Sequence, residues 1–140
     1  MLRLKPYSAS MLALSGSLLI VMGIYFVVLR SSLLPEDLYY MKTSLSVINN
    51  SVPGLSAWLQ KVFWVMGGYI FTTGLLTVYI SFTSFRTRTQ GAFIIVAITG
   101  ISSIGSMTVV NFILGSDFKW LLLAFTLPWV IALILYQLKK

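Results

Sequence analysis

Four long runs without a charged residue constrain the fold of this chain more than any other feature. They cover about residues 7–29, 62–82, 91–114 and 120–138. A helix of about 20 apolar residues crosses the hydrocarbon core of a bilayer, where every backbone N–H and C=O must be paired within the protein. The runs therefore predict spans 1 to 4 of an all-α integral membrane bundle, with residues 1–140 forming a single domain.

The composition agrees with a membrane protein. Apolar residues make up 58% of the chain, charged residues 9%, and the mean hydropathy is +0.93, far from soluble usage. The first run could instead be a secretory signal peptide, but it is longer than a usual signal core and no Ala-x-Ala-like site follows it. We therefore interpret it as a span.

The residue types limit the chemistry that the chain can perform. It has no cysteine and no histidine, which excludes disulfides, thiol chemistry and imidazole catalysis and leaves no ordinary zinc or haem ligand set. No charge lies at mid-membrane, which disfavours a familiar proton-coupled pump. The net charge of +7 comes from basic residues grouped at span ends, where they contact lipid headgroups rather than nucleic acid. We predict no catalytic residue, metal or cofactor.

Basic residues are distributed unevenly across the two sides of the predicted bundle. The side of the termini and the turn between spans 2 and 3 holds six and no acid: Arg3, Lys5, Arg86, Arg88, Lys139 and Lys140. The other side holds all three acids with Arg30, Lys42, Lys61 and Lys119. The positive-inside rule predicts cytoplasmic termini and a 30–61 segment outside, in the periplasm if this is a bacterial inner membrane. Asn49-Asn50-Ser51 formally matches a glycosylation acceptor, and its use stays open.

The 30–61 segment is the only long polar stretch, and it predicts two short amphipathic helices on the membrane surface. Pro35 with the acids Glu36 and Asp37 is typical of a helix start. Leu34, Leu38, Met41 and Leu45 follow at helical spacing. After a break at 49–51, residues 55–59 form a second short run. Lys42 or Glu36 could pair with Asp117 or Lys119 in the turn between spans 3 and 4. The candidate interaction surface is Glu36, Asp37, Tyr39, Tyr40 and Trp58.

Two acids at adjacent positions could also form a metal or acid–base pair. Neighbouring side chains on a helix point about 100° apart, so we favour the interpretation of Glu36 and Asp37 as helix-start residues.

Small residues mark candidate packing faces. Ala9, Gly16 and Gly23 recur every seventh residue in span 1, and Gly67, Gly74, Thr77, Ser81 and Ser84 form a similar face in span 2. Span 3 carries small or hydroxyl residues on most sides between 99 and 108, which predicts a central position or a hydrated cavity. Asn111 could line a substrate path or hydrogen-bond across helices. The candidate packing or cavity residues are Gly67, Gly74, Thr99, Gly100, Ser103, Ser106 and Asn111.

Span 4 is rich in Leu, Ile and Phe and is predicted to be the most lipid-exposed. Gly115 fits a helix C-terminal cap, and Ser116 or Asp117 fits the N-terminal cap of span 4. Pro128 is expected to bend this span.

One pattern of residues resembles a known family. It consists of Leu34-Pro35-Glu36-Asp37-Leu38, then Pro53 with Leu55, Trp58 and Leu59, then Gly67-Gly68 and Gly74. Over about residues 33–76 the chain resembles a family of small four-span bacterial membrane proteins without an assigned function. The resemblance implies the same four-span fold. Gln60-Lys61-Val62 replaces the His-Asp-Arg-like segment of that family, so the resemblance implies no shared activity.

Three function classes remain open. The one that requires the least additional chemistry is a non-enzymatic accessory or interaction subunit, whose 30–61 segment docks a protein partner or a lipid. A small oligomeric transporter or channel lined by span 3 is the alternative. A membrane enzyme that acts on lipid requires the most additional chemistry, since the abundant serine and threonine residues have no histidine to activate them as nucleophiles. The expected partners are membrane lipids and either another protein or further copies of this chain.

Overall fold

The computed structural model describes residues 5–138, which are helical apart from short turns and contain no strand. Span 1 is Lys5–Val28, span 2 Leu55–Phe85, span 3 Ala92–Leu114 and span 4 Lys119–Gln137, and the short helices Pro35–Tyr40 and Leu45–Ser51 lie between spans 1 and 2. The four long helices are long and apolar enough to cross a membrane. The predicted fold class is therefore confirmed. Arg3, Lys139 and Lys140, on which the orientation prediction partly rests, lie outside the described residues.

Local backbone conformation and one side-chain cap account for the ends of the short helices. Pro35–Tyr40, here called the lid helix, starts at its proline and ends just before Lys42, whose φ of 53° leaves the helical region. The backbone N–H of Val47 donates to Ser44 Oγ, which caps the second short helix. The prediction that residues 55–59 form this second helix is wrong. No helix-breaking residue separates Leu55 from the apolar run, so these residues are the first turns of span 2.

Span 1 is the centre of the bundle and packs against spans 2 and 4. The predicted packing faces of spans 1 and 2 meet each other. A β-carbon on Gly74 would lie 2.6 Å from the carbonyl oxygen of Gly16, and one on Gly67 would lie 2.8 Å from that of Gly23. Glycine at these positions lets the two backbones touch, as small residues do between membrane helices.

The prediction that span 3 is central is wrong. Its buried residues recur at every fourth position and form one face, which packs on span 4: Ala92, Val96, Gly100, Ile104 and Thr108. The rest of the helix is half-buried or exposed. Its hydroxyls need no neighbouring helix because they donate to carbonyls of their own helix. Ser102 Oγ donates to Ile98 O at 2.8 Å, and Ser106 Oγ donates to Ser102 O at 2.8 Å. A hydroxyl-rich helix can therefore lie at the edge of the bundle.

Span 4 is the least buried of the four spans, as predicted, yet one of its faces belongs to the core. Leu122, Trp129 and Ala132 on that face are buried. The Trp129 indole N–H donates to Val96 O at 3.1 Å, and its ring lies against Gly100. The helix continues through Pro128.

The turn between spans 3 and 4 confirms one of its two cap predictions. Gly115 caps span 3 with a φ of 69°, a conformation that favours glycine. The capping position of span 4 is Phe118 rather than Ser116 or Asp117. Ser116 instead accepts the Phe118 backbone N–H at 3.1 Å, which leaves its hydroxyl hydrogen free to donate elsewhere.

Candidate functional site: a cleft between spans 2 and 3

Spans 2 and 3 are joined by a short turn but enclose a cleft further along their length. Their contact is concentrated near the turn, where Ser81–Phe85 meets the first part of span 3. Beyond it, spans 1 and 4 form the floor of a cleft of about 770 Å³. Val21 on that floor is 61% exposed. The cleft therefore opens between two spans, to the side of the bundle that lipid would occupy.

The walls of the cleft are mainly apolar. Side chains from all four spans contribute, among them Leu19, Met22, Ile70, Ile104, Met107 and Phe125. The hydroxyls in the walls donate to nearby carbonyls. Thr73 Oγ1 donates to Tyr69 O at 2.8 Å and Ser106 Oγ to Ser102 O at the same distance. Asn111 Nδ2 likewise donates to Met107 O within span 3, at 2.9 Å, rather than across helices. Because these donors are already bonded, the walls suit a hydrocarbon ligand.

One end of the cleft is charged, and Arg30 is its central residue. The Arg30 guanidinium lies 3.5 Å from the ring centre of Phe63 and 5.3 Å from that of Phe26. Its Nη2 is 3.6 Å from Asp37 Oδ2, and its Nη1 donates to Ser31 O. Gln60 Nε2 of span 2 donates to the Arg30 carbonyl at 3.1 Å. Cation–π contacts and an ion pair together fix a planar cation at this end.

The surroundings of Arg30 act on its pKa in opposite directions. Partial burial lowers the pKa of Arg30, and the negative charge of Asp37 raises it. Arginine stays protonated at physiological pH after such shifts because its ordinary pKa is so high. Arg30 therefore stays positively charged at this end of the cleft, beside the carboxylates of Glu36 and Asp37.

The lid helix crosses this end of the cleft and is attached on both sides. Asp37 pairs with Arg30 and also accepts the Leu34 backbone N–H at 2.9 Å. Ser116 Oγ, which is almost completely buried, donates to Glu36 Oε1 at 2.6 Å. The lid helix thus connects the end of span 1 with the turn between spans 3 and 4.

The predicted pairing across this turn is wrong. Within residues 5–138, neither Asp117 nor Lys119 forms an ion pair with Lys42 or Glu36. Glu36 accepts a hydrogen bond from the buried Ser116 hydroxyl instead of pairing with Lys119.

The structure divides the candidate interaction surface in two. Glu36 and Asp37 are half-buried and line the cleft. Tyr39 is 87% exposed, Tyr40 54% and Trp58 61%, and these three aromatic residues lie outside the cleft lining. The cleft lining therefore includes the two acids of the candidate interaction surface and none of its three aromatic residues.

The candidate packing and cavity residues also separate into groups. Gly67 and Gly74 pack between spans 1 and 2, and Gly100 packs on Trp129. Ser103, Ser106 and Asn111 line the cleft, whereas Thr99 is half-buried and is not part of the lining.

Two residues of the site were not predicted as site residues. In the sequence, Arg30 is one of four basic residues on the less basic side of the bundle, and Ser116 is a candidate helix cap. One signal could have identified Arg30. It is a basic residue directly after a span, and it lies on the side of the membrane where the positive-inside rule disfavours basic residues. No local signal links Ser116 to Glu36, because 80 positions separate them.

Among the described residues, no three His, Cys, Asp or Glu side chains are grouped as a metal site would require. The arrangement instead suits an amphiphile, with an apolar cleft for a chain and a charged end for a headgroup. The resemblance of residues 33–76 to small four-span bacterial proteins stays a prediction. Comparison of the chain with protein-family models, curated proteins and solved structures found no match.

Proposed function

We propose that this protein is a non-enzymatic accessory membrane protein that holds a lipid in the cleft between spans 2 and 3. The observation that carries the proposal is the cleft itself: about 770 Å³, lined mainly by apolar side chains and open between two spans. That volume lies within the range of about 300–1,000 Å³ typical of small-molecule pockets. In a bilayer, an acyl chain is the hydrocarbon that has direct access to such an opening.

The depth of the charged end supports a lipid headgroup there. Arg30 lies two residues beyond the last residue of span 1, and Ser116 lies in the turn between spans 3 and 4. Both positions are at span ends, where a bilayer changes from hydrocarbon to headgroups. An acyl chain along the cleft would therefore place its headgroup beside Arg30 and the lid helix.

The proposed location is a bacterial inner membrane with both termini cytoplasmic and the 30–61 segment periplasmic. The basic side chains of Arg86 and Arg88, in the turn opposite the lid helix, support this orientation. The exposed aromatic residues Tyr39, Tyr40 and Trp58 would then lie at or above the periplasmic membrane surface, accessible to a protein partner.

The proposal is tested by measuring the lipid that remains bound after purification. Native mass spectrometry of the protein in mild detergent should show about one lipid per chain. Ser106→Trp would fill the cleft from its wall and is expected to remove that lipid. Ser17→Trp is the matched control, because Ser17 is also an exposed serine bonded to a carbonyl one turn earlier but is not part of the cleft lining.

Two results would contradict the proposal. Wild-type protein without bound lipid would leave the cleft without the ligand that we assign to it. Equal lipid retention by Ser106→Trp and Ser17→Trp would place any bound lipid elsewhere. A closed homo-oligomer with an empty cleft would instead favour a transporter that uses the serine-lined wall of span 3.

A further inference from the structure

We propose that the cleft selects a phospholipid whose headgroup carries a primary ammonium group, as phosphoethanolamine does. This inference rests on the proposed function, since it names the class of lipid that the cleft holds. It depends on the balance of charges at the lid end, which differs from that of an ordinary anionic-lipid site.

The charged residues that line the cleft carry more negative than positive charge. They are Arg30, Glu36 and Asp37, so one cation faces two carboxylates. Arg30 and Asp37 form an ion pair, and Asp37 also accepts a backbone N–H from Leu34. Glu36 is therefore the negative charge that remains in excess at this end of the cleft.

Glu36 is held in place without an ion pair of its own, since Arg30, which also attracts it from a greater distance, is paired with Asp37. Its Oε1 accepts a hydrogen bond from Ser116 Oγ at 2.6 Å, and in the described part of the chain no Lys or Arg nitrogen lies within 4.0 Å of its carboxylate. A hydroxyl orients a carboxylate without cancelling its charge. An incoming cation with N–H donors would supply the missing partner in a charge-assisted hydrogen bond.

Arg30 provides the complementary contact for a phosphate. A guanidinium has five N–H donors. In the part of the chain that the structure describes, Arg30 Nη1 donates to Ser31 O and Nη2 lies 3.6 Å from Asp37 Oδ2. These two contacts engage two of the five N–H groups, and the remaining three can donate to phosphate oxygens, a geometry that arginine matches well. A zwitterionic headgroup can therefore place its phosphate at Arg30 and its ammonium at Glu36.

Other headgroups fit this pair of contacts less well. An anionic glycerol headgroup would bring its charge to a site that already has a net negative charge and would give Glu36 no cation. A choline headgroup has the right charge, but its trimethylated nitrogen has no N–H to donate. An amine without a phosphate would pair with Glu36, but it would bring no phosphate oxygen to the remaining N–H groups of Arg30.

The test measures headgroup selection with defined lipids. Wild-type protein is reconstituted into vesicles of equal parts ethanolamine, glycerol and choline phospholipids with identical acyl chains, extracted in mild detergent, and its retained lipids are counted by mass spectrometry. We expect the ethanolamine lipid to be enriched about tenfold over the glycerol lipid, a factor that corresponds to about 1.4 kcal/mol. Glu36→Gln should reduce this ratio to nearly that of the vesicles.

Asp117→Asn is the matched control variant. It removes a carboxylate from the same end of the bundle, but Asp117 is exposed and does not line the cleft. We expect its lipid ratio to equal that of the wild type. A second measurement needs no variant: successive N-methylation of the ethanolamine lipid removes N–H donors at constant charge and should reduce its retention by the wild-type protein stepwise.

The outcomes separate this inference from the proposed function. Protein that retains no lipid would overturn both. Retained lipid without ethanolamine enrichment, a Glu36→Gln ratio equal to that of the wild type, or full retention of the trimethylated lipid would each overturn the headgroup assignment and leave the lipid-holding function in place.

Discussion

Gly100→Ala should destabilise the protein because it adds one methyl group where span 3 meets span 4. A β-carbon at Gly100 would lie 2.8 Å from Cδ1 and Cε2 of the Trp129 indole ring and closer still to its Nε1. Carbon atoms in contact are normally about 3.5–4.0 Å apart. Trp129 is 2% exposed, and its N–H donates to Val96 O at 3.1 Å. The ring therefore cannot move away without weakening a buried hydrogen bond.

The expected magnitude follows from these contacts. Overpacking in a well-packed core costs about 1–3 kcal/mol, and loss of the indole hydrogen bond adds about 0.5–1.5 kcal/mol. Alanine recovers up to about 1 kcal/mol because it favours a helix over glycine. The net loss in the free energy of unfolding should therefore be about 0.5–3.5 kcal/mol.

Gly68→Ala is the control that isolates the steric contribution. Gly68 also lies inside a spanning helix, but a β-carbon there would have no neighbour within 4 Å. The helix-propensity gain is common to both variants, so Gly100→Ala should be less stable than Gly68→Ala by about 1.5–4.5 kcal/mol. Reversible unfolding of both variants in the same mixed micelles, followed by circular dichroism, measures this difference. A Gly100→Ala protein as stable as Gly68→Ala would refute the packing of Trp129 on span 3.

Two further predictions concern orientation and the lid helix. Cysteines introduced by Ser46→Cys and Thr87→Cys should react from opposite faces of intact cells, and reaction of only the second with an impermeant reagent would reverse the proposed orientation. Ser116→Ala removes the hydrogen bond to Glu36 Oε1 and should speed amide hydrogen exchange in residues 37–41 about fivefold, the factor for about 1 kcal/mol, with exchange in residues 94–100 unchanged. Equal exchange in residues 37–41 of both proteins would show that this bond does not hold the lid helix.

Several parts of the fold could be predicted from local sequence. Pro35 with its two following acids gave the start of the lid helix, and Gly115 gave the end of span 3. The seven-residue spacing of Gly16 and Gly23 indicated a packing face, although it did not identify span 2 as its partner. These features depend on backbone conformation or side-chain size within a few residues, which a sequence pattern shows directly.

The candidate site was only partly predictable. Five of the residues that the sequence predicts as candidates line the cleft: Glu36, Asp37, Ser103, Ser106 and Asn111. The sequence did not indicate that Asp37 pairs with Arg30 or that Glu36 accepts a hydrogen bond from Ser116. Such contacts join segments far apart in the chain, so no local spacing indicates them.

The sequence by itself determined that the protein has four spans, because a backbone that crosses hydrocarbon must pair its own polar groups, and uncharged apolar runs of about 20 residues do so as α-helices. Only the tertiary structure decided that span 1 is central, that span 3 lies at the edge and that a cleft opens between spans 2 and 3. Lipid tails are as apolar as a protein core, so hydrophobicity does not distinguish a buried face from a lipid-facing one. Serine and threonine do not distinguish them either, because each hydroxyl can bond to a carbonyl of its own helix.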